Sequence, residues 1–348
     1  FVGYDSDHGS ELWTTDGEPA GTRRLHDGCP GWCEGGGTVL ANAGGKLVFK
    51  ALREEFGDSG IFVVEAPWES AVSLYDELRD APTTEPNSTP SGAVDGETFY
   101  FAAFDSSGGL EPWVSTGSPA TTYQLADIVG PQEAGSYPSG FAAIGDTMIF
   151  SAGEYSNFDS FWFTEGTSAT TRRAAWEGYL CSSGYPIEPM GNLFATAGCF
   201  ASAIVIDPVS NQVTSLPSEN CYQTAAFGVV GDMLAAAYNC SDGIEIWRSD
   251  GTAQGTESAI SLPYDFAINS VFFPVNDRLL VRGRSGEGRR YTWSASMTSL
   301  LPLTGEGVYP ESGIVPKGEP LGFFSRDSRV WRTDGSPAET FPVGPASA

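Results

Sequence analysis

The sequence predicts an all-β fold, a β-propeller of four-stranded antiparallel blades, and three observations predict it. A Trp-centred segment recurs with a constant internal spacing. Hydrophobic runs recur at set places before and after that segment. Gly 43, Pro 23 and aromatic 12% fit many short strands joined by tight turns. Repeats on this scale mean stacked supersecondary units, and radial repetition of four-stranded antiparallel sheets makes a propeller.

The recurring segment is clearest at Glu11-Leu12-Trp13-Thr14-Thr15-Asp16-Gly17 through Thr22, at Glu245-Ile246-Trp247 through Thr256, and at Arg329-Val330-Trp331 through Thr340. Glu111-Pro112-Trp113 through Thr122 and Ser160-Phe161-Trp162 through Thr171 are weaker copies with the same nine-residue Trp-to-Thr spacing. Alternation of apolar and polar residues around the Trp suits a strand with one buried face. Asp-Gly supplies a turn, because Gly tolerates positive φ and the Asp side chain bonds backbone N–H groups two residues on. A Gly-Thr pair then restarts a β-prone run, and the Trp fills space between sheets. Turn chemistry accounts for the Asp and Trp residues without catalysis.

The unit extends upstream. Tyr100-Phe101-Ala102-Ala103 and Ile149-Phe150-Ser151-Ala152 precede the third and fourth Trp segments, as Phe1-Val2-Gly3-Tyr4 precedes the first. Ahead of these lies a Pro-led strand, as at Pro90-Ser91-Gly92, Pro138-Ser139-Gly140 and Pro310-Glu311-Ser312-Gly313. Gly-plus-polar pairs such as Gly96-Glu97 and Gly145-Asp146 turn one into the next. The unit is therefore strand a (after Pro), b, c (carrying Trp) and d (after Gly-Thr).

Trp-equivalent positions fall at 13, 62, 113, 162, 205, 247, 293 and 331. Eight blades in one domain, 1–348, are expected, at about 1–34, 35–84, 85–134, 135–182, 183–220, 221–263, 264–305 and 306–348. The first lacks strand a because the sequence starts at its strand b; seven blades are the alternative.

On these residues the chain resembles the bacterial ELWxxDGT-repeat family, whose members are mostly exported proteins of tandem units of ~50 residues. The resemblance covers nearly the whole chain. Thr116 and Glu165 depart from the family's Asp, Phe62 stands for Trp in the second unit, and units five and seven keep little beyond alternation. The resemblance implies an exported propeller and fixes no reaction.

Cysteine placement points the same way. Cys181 and Cys221 precede their units' first strands, and Cys199 and Cys240 end the second strands, with separations of 18 and 19. Bridges Cys181–Cys199 and Cys221–Cys240 follow, leaving Cys29 and Cys33 to close a small loop; six cysteines also permit other pairings. With two His and no Cys-x-x-Cys pair, metal binding by these thiols is the poorer reading. An oxidising compartment is expected. The chain opens at Phe1 within a repeat, as a mature product or part of a longer precursor would. No run of eighteen apolar residues exists to span a membrane as a helix.

Net charge is −26, which argues against nucleic acid or an anionic membrane as partner. Residues 278–332 carry nine basic against five acidic groups, a net +4, which leaves −30 on the rest. Arg282, Arg284, Arg289 and Arg290 in that sector are a candidate docking patch for an acidic partner or a second copy; surface charge for solubility is the plainer reading. Asp5, Asp7 and Glu11, in Asp5-Ser6-Asp7-His8-Gly9-Ser10-Glu11, are candidate Ca²⁺ ligands, with an ordinary turn as the alternative.

Catalysis has little support. His8 and His26 sit in no nucleophile arrangement, and neither a Gly-x-Ser-x-Gly elbow nor a phosphate-binding glycine loop occurs. Trp32, Trp68, Trp176 and Tyr179 fall in loops or after strand d, where they stack on sugars, mark a protein interface or pack between blades. The reading that ranks first is an exported, non-enzymatic scaffold that binds another surface or envelope protein or itself, with no cofactor required. A glycan-binding lectin and, third, a polysaccharide-active hydrolase or lyase are the alternatives.

Overall fold

The computed structural model describes residues 1–27, 36–43, 45–52, 59–65, 70–74, 92–105, 109–130, 135–155, 158–176, 186–197, 203–216, 221–252, 254–263, 267–284, 290–295, 300–302, 313–314, 321–326 and 329–343. Among these there is no α-helix; two 3₁₀ turns, Pro19–Gly21 and Pro119–Thr121, are the helical elements. Thirty-one strands among the described residues form seven four-stranded antiparallel sheets and one three-stranded sheet, each built from consecutive strands. The fold is all-β, of the β-propeller class, with seven four-stranded blades. The expected count of eight is not confirmed, because the first sheet (Val2–Asp5, Gly9–Thr14, Arg23–Arg24) has three strands.

The chain divides into two compact units, Phe1–Gly184 and Tyr185–Ala348, with four sheets in each. Within a unit, strand a of one four-stranded sheet lies against strand a of the next. Apolar alternation supplies the seams between sheets. Val48, Ile61 and Val63 of the second sheet pack with Phe99, Phe101 and Trp113 of the third. Tyr100 and Val114 pack with Met148 of the fourth. In the other unit, Ala195, Ala203 and Val205 pack with Leu234, Ala236 and Tyr238. Trp113 is buried, and its indole N–H donates to Ala103 O at 3.0 Å. Trp247 and Trp331 stand at the edges of their clusters.

The constant Trp-to-Thr spacing has one cause. The hydroxyl two residues after each Trp pairs with the Thr nine residues after it: Thr15 with Thr22 at 2.7 Å, Ser115 with Thr122 at 2.8 Å, Thr164 with Thr171 at 2.9 Å, Ser249 with Thr256 at 2.7 Å and Thr333 with Thr340 at 2.7 Å. In every copy the first hydroxyl also accepts the N–H of the turn glycine, Gly17, Gly117, Gly166, Gly251 or Gly335. The second donates to the carbonyl four residues before it. Those glycines have φ between 84° and 95°, a region other residues avoid. Hydroxyls suit this place because the turn that follows strand c leaves backbone groups without a ladder partner, and short side chains supply local ones.

The Asp after the first hydroxyl behaves as the turn reading requires. Asp16 accepts the N–H of Glu18 at 2.9 Å, Asp250 that of Thr252 at 2.8 Å and Asp334 that of Ser336 at 2.8 Å. Where Asp is missing, another hydroxyl replaces it: Thr121 bonds Thr116, and Thr170 accepts the N–H of Glu165. The fifth sheet turns differently, through Asp207 accepting the N–H groups of Val209 and Ser210.

Candidate functional site

In an antiparallel blade the a–b and c–d turns lie at one end, and the b–c turns and the connectors to the next blade lie at the other. At the connector end between the third and fourth sheets, Glu111, the Glu of that copy's Trp segment, is fully buried. Its Oε2 accepts the hydroxyl of Ser136 at 2.6 Å and the N–H of Ile128 at 3.2 Å. Both acceptances come from the connector. Ser136 N and Tyr137 N donate to Leu110 O at 2.8 and 3.2 Å, and Gly153 N donates to Ser136 O at 2.8 Å. Burial pushes the Glu111 carboxyl above the ordinary value, against the Ser136, Ile128 and Val129 bonds that pull it down.

The clamp fixes Tyr137. It has φ 51°, sterically disfavoured for a bulky residue, and it precedes Pro138, which narrows its choices further. Its side chain is nevertheless 55% exposed. A strained backbone persists only where its surroundings over-determine it, and here the bonds at Leu110 and Glu111 do so. The result is an aromatic ring presented to solvent on a rigid base. In the first sheet the same grip occurs without the ring: Gly36 N donates to Ser10 O at 2.8 Å, beside fully buried Glu11, and Gly37 stands where Tyr137 does. In the sixth sheet the corresponding Glu245 instead accepts the indole N–H of Trp247 at 2.7 Å.

Sequence reasoning did not single out Tyr137. A signal was present, because Tyr-Pro also leads the Tyr185-Pro186 and Tyr309-Pro310 segments.

Asp5, Asp7 and Glu11 are not drawn together. One carboxylate oxygen of Asp5 accepts the N–H groups of Asp7 and His8, both at 2.9 Å, and His8 Nδ1 lies 2.9 Å from it. Those bonds, offset by the cost of burial, hold the Asp5 carboxyl below the usual carboxylate range. Glu11 lies in the buried c strand. Among the described residues, one set of three His, Cys, Asp or Glu ligand atoms lies within 4.8 Å of one another, Cys221, Cys240 and Glu245. Its two sulfurs are already joined in a disulfide.

The Cys221–Cys240 bridge links strands a and b of the sixth sheet at a directly paired position, as the spacing predicts. Cys29, Cys33, Cys181 and Cys199 lie outside the described residues, as do Arg289, Trp32, Trp68 and Tyr179. Arg282 and Arg284 belong to the strand Arg278–Arg284, and Arg290 opens the next; the register sets Arg284 opposite Arg290. Three of the four arginines of the candidate patch therefore come from one hairpin. Trp176 packs against Phe161 with the rings tilted and centroids 5.2 Å apart, so its ring serves packing.

No family model matches the chain, and no curated protein does. Among solved structures, it is similar to a prolyl endopeptidase from a study of two such enzymes and the role of inter-domain dynamics in their catalysis and specificity, at 8% identity and a TM-score of 0.47. That match covers 88% of this chain and 49% of the other, so the chain spans about half the length of that enzyme. It is also similar to the computationally designed Ika8 protein, at 13% identity and a TM-score of 0.48, covering 88% and 86% of the two chains. Neither likeness bears on activity.

Proposed function

We propose that this chain is a non-catalytic interaction scaffold of an exported protein, and that it binds a protein partner through the connector end of its blades, with Tyr137 as an anchor. The observation that carries the reading is the exposed Tyr137 ring on a strained, clamped backbone. A pre-set aromatic gives contact area at small entropic cost on binding, which is what interface anchors do. The repeat motif supports the same view, since its Asp, Gly, Ser and Thr residues are engaged in closing turns. In this reading the first sheet is an eighth blade short of strand a, and the chain is a relative of the ELWxxDGT-repeat proteins that its Trp segments resemble. The Cys221–Cys240 bridge is compatible with an oxidising compartment outside the cytosol.

The test is site-specific photo-cross-linking. p-Benzoylphenylalanine replaces Tyr137 in one sample and Val209, 91% exposed on the fifth sheet, in another. Both are irradiated in extracts of the native source. A discrete protein adduct from position 137 alone supports the reading. Absence of an adduct, or the same adducts from both positions, overturns it. A sugar bound at Tyr137 on a glycan array, with no protein adduct, favours the lectin alternative.

A further inference from the structure

In six of the eight sheets the pair of residues that closes the b–c hairpin holds at most one charge, as Asp5 opposite Gly9, Asp105 opposite Gly109 and Cys240 opposite Gly243 do. In the seventh sheet the pair is Arg284 opposite Arg290, joining the strands Arg278–Arg284 and Arg290–Ala295. In the eighth it is Arg326 opposite Arg329, joining Gly322–Arg326 and Arg329–Thr333. Residues directly opposite in an antiparallel ladder share one face, and like charges placed so are destabilising. Closing the turn requires no arginine, as the other six sheets show.

The two arginine pairs are neighbours within the second unit. The seventh and eighth sheets pack together through Val275, Leu280 and Phe324, with Trp331 against them. Sheets packed face to face lie about 10 Å apart. Both pairs stand at the connector end of their blades, because the b–c turns lie there. With Arg289 in the first turn, the segments 284–290 and 326–329 hold five arginines against Glu287 and Asp327, a net +3 in a chain of net −26. Other arginines lie beside carboxylates of their own unit, as Arg24 does with Asp27 and Arg332 with Glu339. Among the described residues Arg329 has no such partner. Next to it in the chain Val330 is exposed, and exposed Val343 stands directly opposite Val330. Aliphatic surface gains from burial against apolar side chains, which a protein segment has and a uronic-acid polysaccharide lacks.

We propose that the b–c hairpins of the seventh and eighth sheets form a docking surface for an acidic, partly apolar segment of a partner protein, whose carboxylates bridge Arg284 with Arg290 and Arg326 with Arg329. The inference deepens the scaffold reading by naming the partner's chemistry, and it rests on that reading. A carboxylate has two oxygens and accepts from both guanidiniums of a pair, in charge-assisted bonds stronger than neutral ones. It also removes the repulsion within each pair. The arginines thus oppose folding slightly in the free protein and favour the complex. At physiological salt the acidic remainder of the chain is screened beyond about 8 Å, so the charges in direct contact decide.

Fluorescence anisotropy of a dye-labelled, amidated Leu-Glu-Glu-Val-Glu-Glu-Leu peptide tests this, with the Gln-for-Glu peptide and dye-labelled polygalacturonate as comparisons. Saturable binding of the Glu peptide is expected, weakening as salt is raised, with none of the Gln peptide. Arg284→Gln with Arg329→Gln takes one charge from each pair and is expected to weaken binding about tenfold. The same variant is expected to unfold at an equal or higher temperature than the wild type, because the like-charge pairs are gone. Arginines kept only for folding would show the reverse, with stability lost and binding unchanged. No saturable binding, equal binding of the Gln peptide, unchanged affinity of the double variant, or tighter binding of polygalacturonate than of the Glu peptide overturns the proposal. Sedimentation showing dimers that the double variant loses would assign the surface to a second copy and overturn it as well. Tyr137 is untouched throughout, so a failed docking surface and a failed anchor are told apart.

Discussion

The hydroxyls of Ser249 and Thr256 lie 2.7 Å apart, seven residues from each other along the chain, and four other turns in the protein repeat that pair. Each pair joins the end of strand c to the start of strand d. Ser249 is also the acceptor for Gly251 N–H, so Ser249→Ala removes two bonds while Thr256→Val removes the pair and the bond to Thr252 O. Either change is expected to cost about 1–2 kcal/mol in urea unfolding. The double variant costs less than the sum, because the shared bond is lost only once. Strict additivity would show that the two hydroxyls do not act together.

A second expectation concerns the residue between Asp250 and Thr256. A Cβ on Gly255 would collide with the Asp250 carboxylate, and one on Gly21 would collide with that of Asp16. In the copies without Asp, Thr121 and Thr170 occupy the glycine's place and supply the hydroxyl themselves. Gly255→Thr alone is therefore expected to destabilise by about 1–3 kcal/mol, as overpacking does. Asp250→Thr combined with Gly255→Thr converts the turn to the Thr116/Thr121 form and restores most of the loss. Thermal unfolding of the single and paired variants reads this directly; a pair as unstable as Gly255→Thr would refute it.

These turns also mark what the sequence made legible. The five copies found from the Trp-to-Thr spacing are the five that close a hydroxyl pair, and Asp207, in a unit that had lost the pattern, makes a different turn. The Cys221–Cys240 bridge was readable because strand positions recur between units. The first hydroxyl was not singled out, because Ser and Thr alternate there and strand periodicity already accounts for a polar residue. The grip of Glu111 on Ser136 spans 25 residues and a connector with no repeat pattern. Asp5 was read as a candidate ligand from its spacing, and its carboxylate accepts the backbone N–H groups two and three residues on.

Glu111 gives a pH signature. Its folded-state carboxyl is raised above the unfolded value of 4.5, so the folded protein holds that proton more tightly. The resulting stability is fully present below pH 4.5 and is lost as pH rises through the raised folded value. Glu111→Gln removes this titration while keeping an acceptor for Ser136 and Ile128. Relative to the wild type, the Gln variant is expected to gain stability between pH 4 and pH 8, measured as the difference in urea midpoints. A constant difference across that range would show that Glu111 does not titrate there. Glu111→Ala leaves the Ile128 N–H and Ser136 hydroxyl without their acceptor and is expected to cost about 1–3 kcal/mol at every pH.

Tyr137 separates stability from binding. A left-handed backbone costs a tyrosine on the order of 1 kcal/mol, and asparagine tolerates that conformation better. The exposed ring contributes little packing in return, so Tyr137→Asn is expected to unfold at an equal or slightly higher temperature than the wild type. The same variant is expected to lose the partner that a photo-reactive group at position 137 captures, because the anchor ring is gone while its clamp from Glu111 and Leu110 stays. Residues selected only for folding move in the other direction, losing stability when replaced. A Tyr137→Asn protein that unfolds several degrees lower and still holds the partner would assign the ring to packing and place the binding surface elsewhere on the blades.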